Sequence, residues 1–101
     1  MAGKGGGGLD PEFAGWLDGY VEQMLDIHRM ARPAPRTADV WGCQNVGDFM
    51  CGFFVGEMIG AAVSALQSRH GREPTAQEHA EIASVVEKRS DSIRDVFLRF
   101  N

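Results

Sequence analysis

Two cysteines, Cys43 and Cys51, and three histidines, His28, His70 and His79, are the residues of this 101-residue chain best suited to hold a metal or attack an electrophile. Ligation from one short segment needs donors two to four residues apart, and the chain has no Cys-x-x-Cys and no pair of histidines at helical spacing. No metal centre, no cofactor and no catalytic constellation is therefore expected, and Cys51 reads as a small buried apolar residue. Glu57 is the more informative anomaly, because its helical neighbours are Phe53, Phe54, Met58 and Ala61. A carboxylate in such company reaches solvent at a seam, pairs with a cation or has a raised pKa. Arg89 and His28 each interrupt or end an apolar stripe elsewhere in the chain. The sequence thus predicts a buried polar cluster of Glu57, His28 and Arg89.

Three helical segments must position these groups. From Phe13 to His28 the large side chains recur at three-and-four spacing (Phe13, Trp16, Leu17, Tyr20, Val21, Met24, Leu25), while Asp18, Glu22, Gln23 and Asp26 mark a wet face. Asp10-Pro11 suits the start of this helix, and Pro33 and Pro35 end it. An irregular connector to about Gln44 follows, in which Val40 and Trp41 are expected to lie over the core as a lid. Asn45 can cap a second helix that ends at Gly71, and its roughly 25 residues would make a rod of about 37 Å, apolar on nearly every side. The third segment opens with a Thr75-x-x-Glu78 capping box. Its stripe runs through Ile82, Val85, Val86, Ile93, Val96, Phe97 and Phe100, with Ser90-Asp91-Ser92 as a candidate break and a continuous helix slightly favoured. No strand is legible. The expected fold class is all-α: three main helices at about 11–30, 45–69 and 75–99, the last with a candidate break near 90, packed as a bundle completed by dimerisation.

Gly52, Gly56 and Gly60 recur at every fourth position of the second helix, and Ser64 and Ser68 continue the series. Each interior glycine costs about 1 kcal/mol relative to alanine, so something must offset the loss. A row of small residues makes a notch that admits another backbone at short range. The neighbour is either a helix of the same chain or the same helix of a second copy. Gly52, Gly56, Gly60, Phe49, Phe53 and Met58 are the candidate interface residues, and the methionines among these aromatics suit an adaptable groove for a partner helix.

A formal net charge of −4 disfavours binding dominated by phosphate contacts, so nucleic acid is an unlikely partner. Asp48 and Glu57 fall in the one stretch long enough to span a bilayer, and a carboxylate near mid-membrane costs on the order of 3 kcal/mol, so no membrane span is expected. Two cysteines and no leader-like N-terminus point to a reducing, cytoplasmic setting. Residues 1–13 are expected to be a disordered tail, because Gly3 to Gly8 is glycine-rich and Asp10-Pro-Glu-Phe13 is what two adjacent cloning sites commonly encode. Residues 14–101 would then be the single helical domain.

Two short resemblances widen the functional field. Gly42-Cys-Gln-Asn-Val-Gly-Asp-Phe-Met-Cys-Gly-Phe-Phe-Val55 resembles the nucleophile region of ubiquitin-like-protein proteases, and Gly47-Asp-Phe-Met-Cys51 is similar to the pyroglutamyl peptidase nucleophile segment. That resemblance implies a cysteine hydrolase with Cys51 as nucleophile and Gln44 stabilising an oxyanion; its families use strands and a positioned histidine. Gly71-Arg-Glu-Pro-Thr75 and the helix after it resemble a segment of bacterial sigma factors that opens a helix-turn-helix-like domain, which implies a DNA-binding regulator in the C-terminal half. The glycine-containing turn of that domain is missing here. The residues themselves point to a small non-enzymatic interaction or regulatory module, a homodimer that self-associates through the glycine-notched helix.

Overall fold

The computed structural model describes residues 8–31 and 37–101. They form α1 (Pro11–Met30), α2 (Thr37–Trp41), α3 (Val46–His70), α4 (Ala76–Glu87) and α5 (Ser90–Phe97), closed by a 3-10 turn at Leu98–Phe100. The bundle is all-α, with no strand among the described residues. The proline connector expected at 32–36 lies outside them.

Three faces make one core. Leu9, Phe13, Leu17, Val21 and Leu25 are buried along α1 and its lead-in, and Phe54, Met58, Ala62 and Leu66 are buried along α3. Both rows step by four residues, the ridge that a helix presents to its neighbour. Ile82, Val85 and Val86 of α4 and Ile93, Val96 and Phe97 of α5 close the third side.

Leu9 and Phe13 correct the expected tail. Both are buried, the Leu9 amide donates to Glu81 Oε1 at 2.9 Å, and Asp10 Oδ1 accepts from the Glu12 amide at 3.1 Å. Residues 9–13 therefore belong to the folded unit, and the N-cap at Asp10 stands as the Asp-Pro pair suggested. The rest of the expected tail, residues 1–7, is outside the described residues.

The expected lid is also corrected. Val40 and Trp41 belong to a short helix and are exposed, and Trp41 stacks on Phe49 with ring centroids 6.2 Å apart. The core below is already closed by Phe54 and Phe97, with the His28 ring edge-on to both at 5.5 and 5.2 Å. Trp41 therefore does not seal the core but borders an apolar cavity above Phe54 and Phe97.

The third segment is broken, at Lys88 and Arg89, where continuity had been slightly favoured. Arg89 explains the break. Its guanidinium reaches across to α1, where Nε and Nη2 donate to the two carboxylate oxygens of Asp18, each at 2.9 Å, and Nη1 donates to Glu22 Oε1 at 2.6 Å. A continuous helix would hold this side chain on its own stripe. The turn aims it at the wet face of α1, and the fork geometry of arginine suits the carboxylate. These hydrogen bonds hold the Asp18 carboxyl below its ordinary pKa.

The capping box forms as expected, with the Glu78 amide donating to Thr75 Oγ1 at 3.0 Å and the Thr75 amide to Glu78 Oε1 at 2.8 Å. Arg72 adds two hydrogen bonds to the Glu78 carboxylate, at 2.9 and 3.1 Å. Arg72 first, and the Thr75 amide second, lower the Glu78 pKa from 4.5 to about 2. A carboxylate depressed in the folded state stabilises fully above its unfolded pKa, and that contribution is lost as pH falls through the folded value. Stability should therefore decline between about pH 4.5 and 2. Urea unfolding at pH 7 and pH 3 checks this: Glu78→Gln is expected to lose most stability at pH 7 and to flatten the acid decline. An unchanged acid slope in the variant would assign the decline to other carboxylates.

The start of α3 departs from expectation. Asn45 precedes it but makes no side-chain cap. The C-terminal residue takes over: Asn101 Oδ1 accepts from the Asp48 amide at 3.1 Å, and Asn101 Nδ2 donates to Asp48 Oδ1 at 3.0 Å. The far end stops at Gly71, whose φ of 67° lies in the left-handed region that glycine adopts without strain.

Candidate interaction site

α3 can be read as four rows of residues, each stepping by four. The row Met50, Phe54, Met58, Ala62, Leu66 faces the core, with Phe54 to Leu66 buried. Gly52, Gly56, Gly60, Ser64 and Ser68 lie two residues away, about 200° around the helix, and all five are exposed. A Cβ placed on any of the three glycines would meet nothing within 4 Å. The core row carries mostly large apolar residues and the opposite row small ones, so no side of the helix is strongly polar.

The small row is the floor of a groove. Cys51, Val55, Ile59 and Val63, all half-buried, flank it on one side. On the other stand Phe49, Phe53, Glu57 and Ala61, with Phe53 64% exposed. The Phe49 and Phe53 rings lie 6.3 Å apart and continue the contact of Trp41 with Phe49, so three aromatic side chains run along one edge. Among the described residues α3 is the one helix long and apolar enough to cross a membrane, yet only 22% of its most apolar stretch is buried in the chain.

Of the two candidate neighbours for the notch, a helix of the same chain is not found among the described residues, since none of their atoms lies within 4 Å of a Cβ built on Gly52, Gly56 or Gly60. Met58 is corrected as well: it is fully buried and belongs to the core. Gly52, Gly56, Gly60, Phe49 and Phe53 share the open side. The polar cluster does not assemble. Glu57 is exposed, Arg89 pairs with Asp18 and Glu22, and His28 packs its ring against Phe54 and Phe97. A carboxylate one position past Gly56 inherits the solvent face of its row, so it needs no buried partner.

The two chemistries implied by the short resemblances meet poor settings. Cys51 is the sixth residue of α3, and its surroundings include Val55, Val86 and Ile93 but no histidine. Burial pushes the Cys51 thiol pKa up and outweighs nearby Arg94, which disfavours a thiolate. All five arginines beyond position 68 are tied within the chain. Arg69 pairs with Asp10, Arg72 with Glu78, Arg89 with Asp18 and Glu22, and Arg94 with Asp91, while Arg99 donates to the Arg29 carbonyl. Four of these charges are paired with carboxylates and Arg99 is held by a carbonyl, which makes a weak phosphate footprint.

Sequence reasoning missed the Arg89 bridge, although Asp18 and Glu22 at four-residue spacing on a wet face were its signal. It also missed the joined aromatic edge, because Trp41 and Phe49 come from different helices. A scan against protein-family models, a search of curated proteins and a search of solved structures each found no match to this chain.

Proposed function

We propose that this chain is a small non-enzymatic interaction module that self-associates by packing the open groove of α3 against the same groove of a second copy. One observation carries the reading: three glycines in register lie on a solvent-facing helix side, bordered by Phe53 and half-buried aliphatics, with none of the described residues seated on them. A lone helix gains nothing from glycine at such positions, whereas close helix contact does. The row is also self-complementary. A two-fold axis at Gly56 sets Gly52 of each copy beside Gly60 of the other, and symmetric pairing of one patch is the commonest form of association. The exposed Phe53 at the groove's edge would be covered at the same time.

Sedimentation equilibrium tests this. The wild-type chain is expected at twice its own mass, and Gly56→Leu is expected to weaken the pair by about 100-fold in Kd, roughly 3 kcal/mol. Leucine at 56 has free space within one chain, so the variant should keep its far-ultraviolet circular dichroism. A wild-type chain that remains single up to millimolar concentration, or a Gly56→Leu variant that pairs as well as the parent, overturns the proposal.

A further inference from the structure

The end of α1, the short helix α2, the first half of α3 and the end of α5 border a partly open cavity of about 300 Å3. Its walls are Trp41, Phe49, Met50, Phe53, Phe54 and Phe97, with His28 at the end of α1. Phe54 and Phe97 form a fixed floor, both fully buried, and the His28 ring stands edge-on to them. Trp41 and Phe53 form the outer rim, 67% and 64% exposed. The volume is at the lower end of the range for small-molecule sites, and the pattern is the usual one of an apolar wall with very few polar groups.

The lining chemistry restricts the occupant. Among the described residues no Asp or Glu lines the cavity, so an organic cation would have ring faces but no counter-charge. No Lys or Arg among the described residues lines it, and His28 lies in the last turn of α1, where the helix dipole disfavours an anion. The His28 imidazole and the Trp41 indole N–H are, among the described residues, the strong side-chain hydrogen-bonding groups on the wall. We propose that this cavity is a binding site for a neutral aromatic small molecule of one or two rings with a single hydroxyl, its ring between Trp41 and Phe54 and its hydroxyl on His28. The site is independent of self-association, although Phe49 and Phe53 border both.

The probes are p-cresol and toluene, which differ by that hydroxyl, titrated into the 15N-labelled full chain and followed by amide and indole NMR shifts. Saturable shifts confined to His28, Trp41, Phe49 to Phe54 and Phe97 are expected, with p-cresol bound about fivefold more tightly than toluene, the worth of one hydrogen bond. His28→Phe should erase that preference while still binding both probes. Trp41→Ala, at an exposed position outside the core, should weaken both on the order of tenfold. The same titration on Gly56→Leu separates this site from the groove, because binding there is expected to persist whatever mass the variant has. Shifts that do not saturate, shifts at the opposite end around Phe13 and Trp16, an unchanged response in Trp41→Ala, or choline bound more tightly than p-cresol would each overturn the assignment.

Discussion

Replacing Gly52, Gly56 and Gly60 together by alanine is expected to stabilise the single chain by about 3 kcal/mol and to weaken its self-association. The first effect follows from position. Each glycine sits in an exposed helix interior with free space where a Cβ would project. Alanine there gains about 1 kcal/mol of helix propensity, chiefly by reducing the freedom of the unfolded chain. The three sites share no partner, so the gains should add. For a chain of this length that is a rise of roughly 10–20 °C in Tm. The second effect follows from the groove, since three methyl groups on its floor hold a partnering backbone away. Urea unfolding at a concentration where the chain is single reads the first, and sedimentation reads the second. Opposite signs are the signature of a surface kept small for a partner. A triple variant that is less stable as a single chain would mean the notch is occupied from within, and one that is more stable yet pairs as well as before would remove the glycines from the interface.

The sequence carried the helices better than it carried their rotation. Spacing located α1, α3 and the start of α4 to within a residue or so, because caps and prolines are local chemistry: Asp10-Pro11, Gly71 and the Thr75–Glu78 box each act within one turn. Which face of α3 turns inward was not legible. With apolar residues on three of its four rows, the periodic signal cancels, and the buried row is chosen by the stripes of α1, α4 and α5 that it must meet. The glycine row was conspicuous, but its occupant depends on that rotation. Arg89 illustrates the same limit from the polar side. As a break in a stripe it looked like a partner for another anomaly, Glu57. Its partners are two ordinary acids on the wet face of α1, 67 and 71 residues away in the chain, and no local pattern reports such a pairing.

The same limit hid the glycine that the fold cannot replace. Gly47→Ala is expected to cost about 3 kcal/mol, at the upper end for overpacking. It makes the same chemical change, in the same helix, as the stabilising ones above. A Cβ on Gly47 would lie 2.3 Å from the Phe97 carbonyl oxygen, 2.6 Å from Asn101 Oδ1 and 3.0 Å from the Leu98 Cα. Two of these atoms are backbone and cannot rotate away, so either α5 or the first turn of α3 must move. Moving α5 draws Phe97 off Phe54 and His28, and it withdraws Asn101 from the Asp48 amide. Asn101→Ala alone removes only the cap and should cost about 1 kcal/mol. It also removes the contact at 2.6 Å, so the pair of variants locates the clash. If the backbone of Phe97 and Leu98 is what Gly47 admits, the cost of Gly47→Ala remains close to 3 kcal/mol in the Asn101→Ala chain. If the cost disappears there, the Asn101 side chain was the obstacle. Should Gly47→Ala instead gain stability by urea unfolding, as its neighbours at 52, 56 and 60 are expected to, the C-terminal turn does not seat against the start of α3.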